Sequence, residues 1–310
     1  MRKAAAILSL MLVLGHGLSL SAQDYRASWI ASPATDSTSH EWFRQTYLAN
    51  GRPHNAFLRV ATTGFVKIYV NEYNVGTAPF YPAREPHDDS AIALKFDITP
   101  YMRPDTNVVA IIYSPSYAHL NSRQVAVTMW GHDAKGQPFC ENSDASWLCK
   151  KANSAISSDG GEIIDGRKHD TSWRAAAFDL ALWRSVEAVS DTAPRGADAS
   201  IGLPMIEKVI RRRAPYYFDL TTEGVEYEFG TGFRGWVRLT LREAVHGEHI
   251  DYGKVHYICN GLLDEQAYPE FYIDTHRRVR ITGDKHFKRE QITDIEGIET
   301  ATIKHSENDR

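Results

Sequence analysis

The chain is poor in everything that would staple or tether it. Three cysteines, Cys140, Cys149 and Cys259, serve 310 residues. None stands close to a pair of histidines, which argues against a structural zinc site. No charge of one sign dominates either: 35 Lys and Arg against 39 Asp and Glu leave a formal net charge of −4. That balance gives no reason to expect nucleic acid or an anionic membrane as a partner. The basic clusters Arg211–Arg213 and Arg277-Arg278 read as solvated faces, because no long basic segment with interleaved aromatics surrounds them. After residue 22 no apolar run is long enough to cross a bilayer, so no membrane span is expected. There are few convincing helical patterns and no internal repeat, which leaves strands to build the core.

The beginning of the chain carries a different signal. Arg2 and Lys3 precede the apolar stretch Ala4–Leu14, and Ser21-Ala22 stand before Gln23. This is the pattern of a secretory leader, with cleavage expected after Ala22 and Ser21 as the alternative. No cysteine follows the apolar run, so a lipid anchor is not indicated. The mature protein is therefore expected outside the cytoplasm, in the periplasm or beyond the cell. In an oxidising compartment Cys140 and Cys149 either close a short loop or stay apart; spacing alone leaves both open. The remainder, within a whole that is 43% hydrophobic and 24% charged, fits a soluble protein of one or two domains.

Strand patterning dominates the mature chain. In Phe65–Gly76, Val66, Ile68 and Val70 fall on one face and Lys67, Tyr69 and Asn71 on the other, the two-residue period of a half-buried strand. Turn formers at Asn71–Asn74 and then Val75-Gly76 predict a return strand. Trp42–Leu48, Phe57–Ala61, Ala91–Phe96 and Val125–Trp130 read as further strands, and the apolar run Asn107–Tyr113 predicts a strand buried on both faces. Trp29-Ile30 is expected to pin an amino-terminal strand to the edge. Asp191–Ser200, with Pro194, Gly196 and small residues, is the best linker, and strands resume near Trp236–Leu241, His249–Tyr252, Val279–Gly283 and Ala301–His305.

Several stretches together resemble one family. The Phe65–Gly76 hairpin, Asp97-Ile98-Thr99, Ser143-Asp144-Ala145-Ser146-Trp147, Ile164–Asp170 with Trp173 and Trp183 after it, and Tyr227–Leu239 are similar to motifs in the non-catalytic amino-terminal β-sandwich portion of bacterial α-L-rhamnosidases. The family usually closes the first hairpin with Asn-Gly; Asn71-Glu72-Tyr73-Asn74 predicts a longer loop. The resemblance implies an all-β protein of two antiparallel, jelly-roll-like sandwiches in tandem. The leader would occupy 1–22, the first sandwich 23–192, a linker 193–203 and the second sandwich 204–310. In that family a helical toroid bearing the acid and base carboxylates comes after such sandwiches, and this sequence is expected to lack it.

Three functional readings are open. The first is sugar binding at one loop, where Asp165, Arg167, His169, Asp170 and Trp173 supply carboxylates, cations and an indole for hydroxyl groups and a sugar face. Some relatives bind L-rhamnose with calcium, so the resemblance makes Asp144, Asp165 and Asp170 candidate calcium ligands. Against this, Asp and Gly also make turns and a Trp also fills cores. The second is glycan hydrolysis or lyase chemistry on the sheet, with His246, His249, Tyr252, His256 and Tyr257 supplying bases. The third is a structural piece that docks on a separate catalytic subunit or pairs as a homodimer. The reading adopted is a secreted, non-catalytic protein that binds rhamnose-containing plant glycans.

Overall fold

Alternation in the sequence becomes strand pairing almost directly. A computed structural model of the protein describes residues 27–33, 36–83, 91–115, 123–189 and 205–304. The leader, the linker and the last six residues lie outside the described residues. The architecture is an all-β sandwich. One sheet runs, in spatial order, Glu187–Val189, Trp29–Ala31, Gln124–His132, Asn55–Thr62 and Ile92–Asp97, with Pro138–Asn142 also paired to Gln124–His132. The facing sheet contains Tyr73–Asn74, Phe65–Val70, Thr106–Ser114, Ser39–Leu48 and Leu148–Ile156. Between them lies a core built by inward residues of both, among them Phe43, Leu58, Val60, Ile68, Ile111, Val127 and Trp147. Burying such side chains contributes roughly 1.5–3 kcal/mol each before chain entropy is set against it.

Thr106–Ser114 is buried along nearly its whole length, as its unbroken apolar run requires. One face meets the sandwich core. The other is roofed by the segment after Gly166, whose Trp173 and Trp183 pack with Trp42, Tyr69 and Ile112. Trp29–Ala31 joins the first sheet one strand in from its edge, pairing with the edge strand Glu187–Val189 on one side and Gln124-Val125 on the other.

The first hairpin is tighter than its sequence suggests. Val70 pairs with Tyr73 and Tyr69 with Asn74, so only Asn71 and Glu72 form the turn. Both take positive φ, 50° and 76°, as a two-residue hairpin turn needs. Asn71 is held there by its buried side chain: its Nδ2 donates to Asn107 Oδ1 and Tyr101 O, each at 2.8 Å, and its Oδ1 accepts from Val108 N–H at 2.9 Å. The cysteine loop does not form, for all three cysteines are free. Cys140 is exposed on Pro138–Asn142 and Cys149 is buried on Leu148–Ile156, strands of opposite sheets.

Residues 205–304 form a second β unit with its own core, including Val225, Phe229, Phe233, Leu239, Ile250, Tyr257, Ile281 and Ile295. Its spine is Gly224–Arg242, paired to Asp274–Gly283 and to Ile292–Lys304. The two units share hydrogen bonds: Glu162–Asp165 pairs in parallel with Val255–Ile258, so one sheet continues from the first unit into the second. Glycines at both ends of that strand allow the approach. A Cβ on Gly161 would lie 1.8 Å from Lys254 O, and one on Gly166 would lie 2.7 Å from Ile258 O. Among the described residues no helix is long and apolar enough to cross a membrane.

Candidate functional site

Beside this junction lies a cleft of about 390 Å³, and its walls come from both units. Period-two geometry puts His40 and Trp42 on the outer face of Ser39–Leu48, away from the sandwich core that takes Phe43. Glu162 opens the parallel strand, and residues 270–274 of the second unit cross above it. The cleft is lined by aromatic surface from Phe65, Phe80 and Phe271 and by polar groups of His40, Glu162 and Asp274.

The polar groups are tightly held. Glu162 is buried, and its carboxylate accepts the backbone N–H groups of Glu270 and Phe271 at 3.0 Å and of Tyr272 at 3.2 Å. Burial pushes its pKa up to about 7, against the pull of those N–H groups. Next to it Lys67 forms a short ion pair with Glu270. Burial opposes charge on both, but each holds the other ionised, so Lys67 is shifted up and Glu270 down. His40 Nδ1 lies 2.8 Å from Ser154 Oγ and 3.8 Å from Glu162 Oε1, and the ring meets Phe271 edge-on at 5.0 Å. Burial lowers the His40 pKa to about 3, so the ring is neutral at pH 7. Asp274 accepts the Tyr272 hydroxyl at 2.5 Å and the Thr275 N–H at 2.7 Å.

The loop chosen from sequence is arranged otherwise. Asp165 accepts from the Arg167 guanidinium at 2.8 and 3.0 Å, the Arg167 N–H at 3.2 Å and the Lys168 ammonium at 2.9 Å. The Arg167 guanidinium, with Lys168 assisting, holds the Asp165 carboxyl well below the usual range. Asp170 caps a turn by accepting the Ser172 N–H at 2.8 Å and hydroxyl at 2.5 Å, and Asp144 does the same for Ser146 at 2.8 and 2.5 Å. Trp173 is 0% exposed, stacked on Trp42 at 5.0 Å and set against Trp183 at 5.5 Å. It has no face to offer a sugar. Arg167 and His169 are exposed on the same short loop. Among the described residues no three His, Cys, Asp or Glu side chains gather as a metal would need. Asp144, Asp165 and Asp170 are each engaged in a turn or ion pair of their own.

Residues 51–200 match the description Alpha-L-rhamnosidase N-terminal domain. Over these residues the chain is similar to an alpha-L-rhamnosidase N-terminal domain. An alpha-L-rhamnosidase of Formosa agariphila is 21% identical over 84% of this chain and 32% of its own length. The alpha-L-rhamnosidase from Dictyoglumus thermophilum superposes with a TM-score of 0.78 at 18% identity, over 90% of this chain and 36% of that one. For Streptomyces avermitilis alpha-L-rhamnosidase complexed with L-rhamnose the TM-score is 0.75 at 16% identity, over 86% and 29%. The chain thus spans about a third of the length of these relatives.

Within this rhamnosidase-type architecture the histidine cluster does not converge. Tyr252 and Tyr257 point into the second core, with Tyr257 donating to Glu265 at 3.0 Å, while His256 faces outward between Asp251 at 2.8 Å and Asp159 at 3.3 Å. Burial works against charge on His256, yet the two carboxylates raise its pKa. The cleft residues themselves carry no local motif. Glu162 meets residues more than a hundred positions away, and only Gly161 and Gly166 beside it mark a close crossing.

Proposed function

We propose that the protein is a secreted, non-catalytic carbohydrate-binding accessory of the alpha-L-rhamnosidase type, and that it takes rhamnose-containing glycan in the cleft between its two units. The observation that carries this reading is the cleft's lining: three phenylalanines beside His40, Glu162 and Asp274. A sugar presents C–H groups to aromatic surface and hydroxyl groups to fixed polar atoms, and both kinds of partner stand here together. Binding is favoured over hydrolysis because the carboxylates are already committed. Glu162 and Glu270 face backbone N–H groups and Lys67, and Asp274 holds Tyr272 and Thr275. An inverting pair would instead need one acid and one base poised across the scissile bond. The similarity to alpha-L-rhamnosidases, one of them complexed with L-rhamnose, supports the choice of sugar. Docking onto a separate catalytic subunit is compatible with this role.

Calorimetric titration of the purified chain with L-rhamnose and with rhamnose-containing polysaccharides, with and without calcium, tests the reading. Weak saturable binding is expected. It should fall about tenfold or more in Asp274→Ala, the loss typical of a charged acceptor, measured where this variant, which also gives up its bonds to Tyr272 and Thr275, is still folded. Phe65→Ala should weaken it too. No saturable binding in either condition, or normal binding by both variants, would remove the cleft as the site.

A further inference from the structure

The outer face of the second unit holds a groove of about 310 Å³ that owes nothing to the cleft. Its centre is a cross-strand row. Trp236 on Gly224–Arg242 pairs with Ile298 on Ile292–Lys304, and Ile298 pairs in turn with Arg212 on Met205–Arg213. Directly paired residues share a face, so indole, isoleucine and guanidinium stand side by side. Ile298 is buried yet belongs to neither unit's core; the long side chains of this row cover it. Gln266 and Tyr268 close the groove on the far side, and Arg238 closes its end.

Two features point to a ligand. Trp236 is half-buried, and among the described residues no ring or cation stacks on its indole, whereas Trp42, Trp173 and Trp183 stack on one another. The second is an unbalanced charge. Glu296 is taken by Arg238, whose Nε donates at 2.9 Å and whose second nitrogen is closer still. Arg212 reaches the same carboxylate only at 3.9 Å and its side chain is 70% exposed. Two guanidinium groups share one carboxylate, which leaves a planar, two-pronged donor beside a flat aromatic surface. A neutral sugar would use the ring and leave the fork idle. A sugar carrying a carboxylate uses both, since guanidinium and carboxylate match in geometry and charge.

We propose that this groove binds an acidic saccharide, with a uronate ring on Trp236 and its carboxylate on Arg212. The site is separate from the cleft, and its test does not depend on rhamnose binding. The probe is a short oligogalacturonide, titrated into the full chain alongside its fully methyl-esterified counterpart, which keeps the ring and removes the charge. The acid form should bind about tenfold more tightly than the ester, and added salt should shrink that advantage. Arg212→Gln should bring the two ligands to the same Kd without moving the melting temperature, because this side chain is exposed. Trp236→Ala should abolish binding of both. Trp236→Phe, which keeps a ring on the sheet, should retain weakened binding and serves if the alanine variant folds poorly. Arg242→Gln, at an exposed arginine paired with Asp264 away from the groove, should change nothing. The proposal is overturned by the absence of saturable binding, by equal Kd for acid and ester in the wild type, by an unchanged Arg212→Gln, or by an equal loss in Arg242→Gln.

Discussion

Replacing Trp173 by alanine separates a core indole from a sugar platform in one measurement. The side chain has no exposed surface and packs against two other tryptophans, with ring centroids 5.0 and 5.5 Å away. An aromatic of this kind buries roughly 150–250 Å², which at about 25 cal/mol per Å² gives about 4–6 kcal/mol as an upper bound. Removing it also leaves a cavity over a sheet too stiff to close it, and such truncations typically cost about 3–5 kcal/mol. The stack on Trp42 places this site within that range. Urea unfolding followed by circular dichroism should therefore show a midpoint lowered by the equivalent of about 4 kcal/mol with an unchanged slope. Trp173→Phe, which refills most of the space, should lose less than half as much. Any sugar affinity measured where the variant is still folded should equal that of wild type. A stability loss below about 1 kcal/mol, together with weakened sugar binding, would refute the packing argument and return the loop to the list of sites.

Acid stability should follow the buried pair of the cleft. His40 is depressed from 6.5 to about 3, so the unfolded chain binds more protons in that window, and its contribution is full above pH 6.5 and lost as pH falls toward 3. Glu162 is raised from 4.5 to about 7, so its contribution is full below pH 4.5 and lost as pH rises toward 7. The slopes oppose each other where the windows overlap, and His40→Gln should flatten only the acid limb, on the order of 5 kcal/mol at full extent, as read by urea midpoints across pH. Glu72→Gly should raise stability by up to about 1 kcal/mol, since Glu72 sits at φ 76° in the hairpin turn; a lower melting temperature would count against the strain. Purified chain should not hydrolyse an aryl rhamnoside, and turnover that a single carboxylate substitution abolishes would contradict the assignment of Glu162, Glu270 and Asp274 to structural bonds.

Short-period patterns are the part of this fold that is legible in the sequence. Val66, Ile68 and Val70 announce their strand, and the unbroken run at Asn107–Tyr113 announces burial on both faces, because side-chain direction alternates along an extended chain. Trp29-Ile30 is legible as a strand, but not its place one strand in from the edge of its sheet, which the pairing with Glu187–Val189 decides. The hairpin length is not: whether Tyr73 pairs depends on Asn71 being tied to Tyr101, Asn107 and Val108, and those partners lie some thirty residues on. The Asp165–Trp173 loop looks like a site because its residue types suit a sugar, but the same types also make capped turns and ion pairs. Only the placement of Arg167 and Lys168 on Asp165 and of Trp42 on Trp173 decides between them. The cleft is invisible in sequence, since His40, Lys67, Glu162 and Glu270 come from four separated stretches and meet only when the sheet continues across the junction.

The parallel pairing of Glu162–Asp165 with Val255–Ile258 has a consequence for how this architecture can be cut and recombined. Taking away residues 205–304 would not trim a pendant module. It would strip one strand of its neighbour and bare a row of N–H and C=O groups, leaving Glu162 without the backbone donors that neutralise it. An exposed edge of that kind recruits the nearest extended chain, so the first sandwich expressed alone would be a self-associating fragment. The boundary that a sequence comparison draws at residue 200 is thus one of kinship, and the smallest unit that can be transplanted as a soluble piece is the pair.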